Sequence, residues 1–244
     1  MYAQGTAEIK LADIFQQLGY ATGVILEIGA HDGKSMSNTR VFYEQGWDCR
    51  YIEGDAALFP YLLKNVPADK CLQGFVSVEP GCTLDDLMDK LRMPAEFVCL
   101  SLDIDGNDYW VWQSLTRHMP LVVCVEYNSN ADLTATLSVP YDKNFVWHGG
   151  AYVGATASAL VNLGTSKGYT LVAHDDYTNL IFVLERVRPP TMLPMAVTAV
   201  IARSTPELQA ELARTMTHVC SKCNGGIVRD CAGKLVSKGC VCAH

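Results

Sequence analysis

The sequence predicts an α/β fold in which a mostly parallel sheet is covered by helices on both faces. Three observations predict it. Short aliphatic and β-branched runs alternate with segments of helical period between residues 8 and 184. These runs are apolar along most of their length instead of at every second position, as strands buried on both faces are. The first, Val24-Ile25-Leu26-Glu27-Ile28, leads directly into Gly29-Ala30-His31-Asp32-Gly33, a turn whose glycines let backbone amides approach a ligand closely.

Residues 8–18 place Ile9, Leu11, Ile14, Phe15 and Leu18 at helical spacing and predict an amphipathic helix over the sheet. After the glycine turn, Ser35 or Ser37 caps a helix running through Val41, Phe42 and Tyr43 to Gly46. Cys49-Arg50-Tyr51-Ile52-Glu53 is a second strand, residues 56–65 a helix and residues 71–78 a third strand. Thr83 caps a helix over residues 84–91, its acids early and its lysine late, as the helix dipole prefers. Residues 97–105 and 121–126 are the fourth and fifth strands. A helix within residues 152–169 ends at Gly168, and residues 170–174 and 180–184 form an antiparallel hairpin. The sum is a Rossmann-like, seven-stranded, mostly parallel sheet with helices on both faces, plus a small Cys-rich C-terminal segment. Pro189, Pro190 and Pro194 mark a boundary. Residues 1–188 are therefore the expected main domain, and residues 189–244 a linker, a helix over 206–216 and the Cys-rich tail.

With 244 residues, 49% of them hydrophobic and 18% charged, the chain can bury a substantial core. Its net charge of −7 argues against a surface built for nucleic acid or an anionic membrane. A small molecule is the expected partner, and a homo-oligomer is compatible with the composition. Residues 1–8 lack the basic-then-apolar order of a signal peptide, and no apolar run reaches the ~18 to 20 residues of a membrane span. A cytoplasmic location is expected. Cys49, Cys71, Cys82, Cys99 and Cys124 are scattered, mostly in apolar segments where free cysteine acts as a small hydrophobe.

In open α/β sheets ligands bind beyond the carboxyl ends of the strands. Glu27, Glu53, Asp103 with Asp105, and Glu126 with Asn128 fall there. Glu53 lies 20 residues after Gly33 (53 − 33), a spacing that suits an acid accepting hydrogen bonds from ribose hydroxyls. The turn has its acid before the glycines and lacks the third glycine of a dinucleotide fingerprint. Asp103-x-Asp105-x-Asn107-Asp108 opens like a calcium loop, but Asp108 stands where glycine is needed and Ser114 where a closing glutamate is needed. That reading is rejected. Residues 132–150 have no period and carry aromatics and glycines, as a lid or binding segment does. His148 is its general-base candidate, with Tyr141 and Asp142 as helpers and His31 as competitor.

Four stretches carry a family resemblance: residues 26–34, residues 51–54, Leu102-Asp103-Ile104-Asp105-Gly106-Asn107-Asp108-Tyr109-Trp110, and Val125-Glu126-Tyr127-Asn128. Together they resemble the FkbM-like branch of the S-adenosylmethionine-dependent methyltransferases over about residues 23–185. The resemblance implies methyl transfer from S-adenosylmethionine to a hydroxyl oxygen of a small-molecule or sugar-like acceptor. The expected cofactor contacts are Glu27, Gly29, Ala30, His31, Gly33, Glu53, Gly54, Ser77 and Asp103, and the expected catalytic residues His148, Asp103 and Asp105. Asp103 or Asp105 with Glu126 and Asn128 also resembles the metal set of catechol-type O-methyltransferases. A divalent cation such as magnesium at Asp105, Glu126 and Asn128 is one reading, and metal-free capping of the strand end the other.

The tail holds Cys220-x-x-Cys223, Cys231, Cys240-x-Cys242 and His244 within residues 220–244. In a reducing compartment such density favours zinc, although the second pair departs from C-x-x-C; a disulfide or redox tail, or a tail modified by the domain itself, are the rivals. Two other classes of function stay open: a nicotinamide-dependent oxidoreductase, and a non-catalytic zinc-bearing binding protein.

Overall fold

The structure is a computed structural model and describes residues 1–200 and 205–219, with the backbone of residues 228–229 and 235–236. All five tail cysteines expected to bind zinc, Cys220, Cys223, Cys231, Cys240 and Cys242, lie outside the described residues.

The elements follow the expected alternation. They run α1 (Ala7–Gln17), β1 (Val24–Ile28), α2 (Arg40–Glu44), β2 (Asp48–Glu53), α3 (Phe59–Asn65), β3 (Cys71–Gln73), α4 (Leu84–Lys90), β4 (Glu96–Leu102), α5 (Asp108–Ser114) and β5 (Met119–Glu126). Then come β6 (Leu137–Ser138), α6 (Ala157–Ser166), β7 (Tyr169–His174), β8 (Asn179–Leu184), α7 (Pro206–Thr215), β9 (Thr217–His218), β10 (Val228–Arg229) and β11 (Leu235–Val236). One seven-stranded sheet has the order β3-β2-β1-β4-β5-β8-β7. The β1–β2, β1–β4, β2–β3 and β4–β5 pairs are parallel, and β8 runs antiparallel to both of its neighbours. This is the Rossmann-like sheet with its terminal hairpin. Among the described residues no helix is long and apolar enough to cross a membrane.

The strands separate their side chains onto two cores, as period two demands. Leu26, Leu100, Val123 and Phe182 face one layer, where α4, α5 and α6 bring Leu87, Trp112 and Leu160. Ile25, Cys99, Val122 and Ile181 face the other, where α1, α2 and α3 bring Phe15, Phe42 and Leu62. Cys49, Cys99 and Cys124 are buried free thiols, and burial pushes Cys49 up to about 12 and the other two well above the ordinary thiol range. They pack as apolar groups.

Two differences from expectation bear on function. The third strand stops at Gln73 instead of running to residue 78, because Gly74 starts a loop in which Ser77 N donates to Cys82 O at 2.9 Å and Ser77 Oγ accepts from Glu79 N at 3.1 Å. The segment after residue 188 also packs on the main unit. β9 pairs with β6, and Leu212 and Met216 join a small core with Ala131 and Leu137. In the tail, β10 and β11 pair antiparallel.

Candidate functional site

The turn after β1 is held by its own geometry. Gly29 adopts φ +77°, and a Cβ there would lie 1.7 Å from Asp103 O, so no side chain fits. Its N–H and that of Ala30 both donate to Ile52 O, at 3.1 and 3.2 Å, which binds the turn to the end of β2. Glu53 completes the clasp. One of its carboxylate oxygens accepts from His31 N at 2.6 Å and the other from Asp55 N at 2.7 Å. Glu27 is buried and plays a different part, accepting from Ser37 Oγ at 2.6 Å, Asn38 N at 2.8 Å and Thr39 Oγ1 at 2.7 Å and so folding the approach to α2. Burial raises its pKa despite those three donors.

After β4 the chain makes a second tight turn. Asp108, at the start of α5, accepts from Ile104 N and Gly106 N, both at 3.0 Å, and Asp105 between them adopts a left-handed φ of +59°. Aspartate tolerates that region better than most residues. Gly106 has the Phe145 ring where its Cβ would stand, at 2.3 Å. Asn107 Nδ2 donates to Asp142 O at 2.8 Å, which tethers the loop carrying Phe145 and Trp147.

These turns and the end of β5 enclose a cavity of about 640 Å³, within the ordinary range for a small-molecule site. Its wall includes Gly29, Ala30, His31, Glu53 and Gly54 on one side and Asp103, Asp105 and Glu126 on the other. Tyr127, Phe145, Val146 and Trp147 also line it, none of which was a sequence candidate; for the last three, aromatics in an aperiodic loop were the available signal. Six carboxyl residues reach the wall, Glu27, Glu53, Asp55, Asp103, Asp105 and Glu126, and among the described residues no lysine or arginine does.

The acids near β4 and β5 hold their protons unusually hard. Burial, then the neighbouring Asp108 and Asp105, pushes Asp103 up to about 8. Burial raises Asp108 to about 7 and also raises Asp105. Glu126 is raised by burial and by the nearby Asp103. One oxygen each of Asp103, Asp105 and Glu126 lie within 4.8 Å of one another.

Four expected site residues are placed elsewhere. Gly33 is off the wall and packs instead on Leu62 and Val66 of the α3 region. Ser77 is off the wall, although Gly74, Phe75 and Val76 of the same loop after β3 line it. His148 is exposed and absent from the wall; Val146 and Trp147 of the same loop line its rim while staying 59% and 44% exposed, and Trp147 Nε1 donates to Gly150 O at 3.1 Å. Asn128 is not on the cavity wall; its Nδ2 donates to Ala151 O and Val153 O, both at 2.8 Å, and its Oδ1 accepts from Asn130 N at 2.9 Å. Of the two helpers named beside His148, Tyr141 is buried, its hydroxyl accepting from Val78 N at 3.3 Å, and Asp142 serves as the loop's tether.

Fold and cavity together define an open α/β protein with an acidic, aromatic-edged site at the carboxyl ends of β1, β2, β4 and β5. The chain matches no family model and no curated protein. Among solved structures it is similar to the Burkholderia thailandensis 1,6-didemethyltoxoflavin-N1-methyltransferase with bound 1,6-didemethyltoxoflavin and S-adenosylhomocysteine, at 14% identity over 73% of this chain and 77% of that one, with a TM-score of 0.44. It is similar to the glycopeptide N-methyltransferase MtfA complexed with S-adenosyl-L-homocysteine, at 12% identity over 75% and 92%, TM-score 0.43. A third is an S-adenosylmethionine-dependent methyltransferase from Mesorhizobium loti, at 14% identity over 87% and 95%, TM-score 0.44.

Proposed function

We propose that the chain transfers a methyl group from S-adenosylmethionine to an oxygen of a small acceptor. The observation that carries this reading is the make-up of the cavity wall: six carboxyl residues and, among the described residues, no lysine or arginine to pair with a phosphate. A dinucleotide brings a pyrophosphate, which needs a helix N-terminus or a cation beside the glycine turn. Here α2 starts only at Arg40, 12 residues after β1 ends at Ile28 (40 − 28), and acids surround the turn. A sulfonium donor brings positive charge and no phosphate, which suits walls of carboxyl groups that can give up a proton as a cation binds.

In this reading Glu53 holds the ribose hydroxyls, since each of its oxygens has accepted only one N–H and keeps further acceptor capacity. The Gly29 turn leaves room for the donor's methionine part. When bound, the donor supplies an electrophilic methyl on sulfur. The protein's part is to hold the acceptor over Asp103, Asp105 and Glu126, and to exclude water with Phe145 and Trp147.

Calorimetry tests the donor. S-adenosylmethionine and S-adenosylhomocysteine are expected to bind at micromolar levels and NADH and NADPH not to bind; the reverse result overturns the reading. Mass spectrometry of the methylated product then reads oxygen against nitrogen.

A further inference from the structure

We propose that residues 2–6 form a strap across the mouth of the cavity and that Gln4, at its middle, holds the amino-acid end of the donor; the identity of that ligand rests on the methyl-transfer reading. Gln4 lines the cavity, and the strap is fastened on both sides of it. On one side Ala3 makes a parallel bridge to Met36, in the loop that follows the glycine turn. Tyr2 Oη donates to the Glu44 carboxylate of α2, 2.8 Å from either oxygen. On the other side Thr6 N and Thr6 Oγ1 donate to Asp175 O, at 2.9 and 2.7 Å, in the turn between β7 and β8. Met36, Tyr177 and Thr178, at the two places of fastening, line the cavity as well. In the sheet β4 and β5 lie between β1 and β8, so a segment tied to the loop after β1 and to the turn before β8 crosses the ends of both.

Two features show that the strap is fitted to this place. A Cβ on Gly5 would stand 2.7 Å from Tyr177 Cβ and 2.8 Å from Asp175 O, so only glycine lets the strap lie so close to the turn. Met36 adopts a left-handed φ of +61°, a strained conformation for methionine, and such strain persists only where the surroundings hold it, as the bridge to Ala3 does. The chemistry of Gln4 then points to its ligand. The donor's amino-acid end carries a carboxylate, and no lysine or arginine among the described residues lines the cavity, so neutral N–H and O–H groups must receive it. Gln4 Nε2 donates to Met36 Sδ, and a thioether sulfur is a weak acceptor that a carboxylate readily replaces. Ser35 Oγ, Ser37 Oγ, Asn107 Nδ2 and Trp147 Nε1, also on the wall, already donate to oxygens, those of Asp32, Glu27, Asp142 and Gly150. Gln4 is thus a wall donor whose present bond is easily exchanged.

Calorimetry on the full chain tests the strap by comparing S-adenosylhomocysteine with 5′-methylthioadenosine, which keeps the adenosine and the sulfur but lacks the amino-acid end. Gln4→Ala removes the proposed contact, and Gly5→Ala drives the strap off the turn between β7 and β8. Each is expected to weaken S-adenosylhomocysteine about tenfold, the scale of one hydrogen bond to a charged group, and to leave 5′-methylthioadenosine unchanged. Circular dichroism confirms that each variant is folded. Gln4 is exposed, so Gln4→Ala leaves the packing intact and decides alone should Gly5→Ala not fold. Unchanged S-adenosylhomocysteine affinity in a folded variant, or equal loss of both ligands, overturns the strap, while donor binding by the unaltered chain still upholds the methyl-transfer reading. If the unaltered chain binds neither ligand, that reading fails and the assignment of Gln4 fails with it.

Discussion

Glu53 shows how much one residue does in this fold. Its two oxygens accept the amides of His31 and Asp55, so it locks the glycine turn and the end of β2 in one arrangement while facing the cavity. Replacing it removes a charged acceptor from both roles. Glu53→Ala is expected to weaken S-adenosylmethionine binding about 10- to 100-fold, as losing hydrogen bonds to a charged group worth about 1.5–3 kcal/mol would do, readable by calorimetry. Glu53→Gln, which keeps one acceptor oxygen, should lose less. Unchanged donor affinity in Glu53→Ala would remove the ribose role. Glu27, by contrast, lines the cavity but commits its oxygens to Ser37, Asn38 and Thr39, and sequence spacing alone does not separate the two acids.

Elements divide between those a local pattern announces and those only distant partners create. The buried runs of β1, β4, β5 and β8 and the capped start of α4 were legible, because burial on both faces and a Thr83 capping box leave local traces. β6 and β9 are two residues each and exist through pairing with each other, so nothing near Leu137 in the sequence announces them. The roles of His148 and Asn128 were illegible for the same reason. Which loop residues line the cavity depends on the tether from Asn107 to Asp142 and on the carbonyls of Ala151 and Val153, all remote in sequence. The α7–β9 unit brings its own test. Leu212 is 4% exposed and packs with Ala131, Leu137 and Met216. Leu212→Ala is expected to cost about 2–3 kcal/mol locally, at the low end for buried leucine because the cluster is small. Hydrogen exchange should then quicken over residues 131–156 and leave β1 and β4 protected; uniform quickening would contradict a local role.

For the whole molecule, the acidic site predicts an unusual response to pH. Glu27, Asp103, Asp105, Asp108 and Glu126 all have raised pKa values, through burial first. In the unfolded chain these groups lose their protons near pH 4, whereas the folded chain keeps protons on Asp108 and Asp103 until about 7 and about 8. Between those limits the unfolded state binds fewer protons, so stability falls as pH rises. Asp85 acts in the opposite sense. Burial pushes it up, but donors from Thr116, Arg117 and His118 outweigh that and leave it lowered, so its contribution is present above about pH 4 and lost below. Urea midpoints of the chelator-treated protein are therefore expected to decline from pH 5 to pH 8, less steeply in Asp103→Asn. A flat or rising profile would contradict the buried protons.

The pairing of Leu137–Ser138 with Thr217–His218 also orders events during synthesis. The strand that pairs with β6 is made 79 residues after Ser138 (217 − 138), when every strand of the large sheet has already been translated. A nascent chain can thus assemble the glycine turn before the partner of β6 exists. Under the methyl-transfer reading, donor binding would mature first on the ribosome, and acceptor selection last.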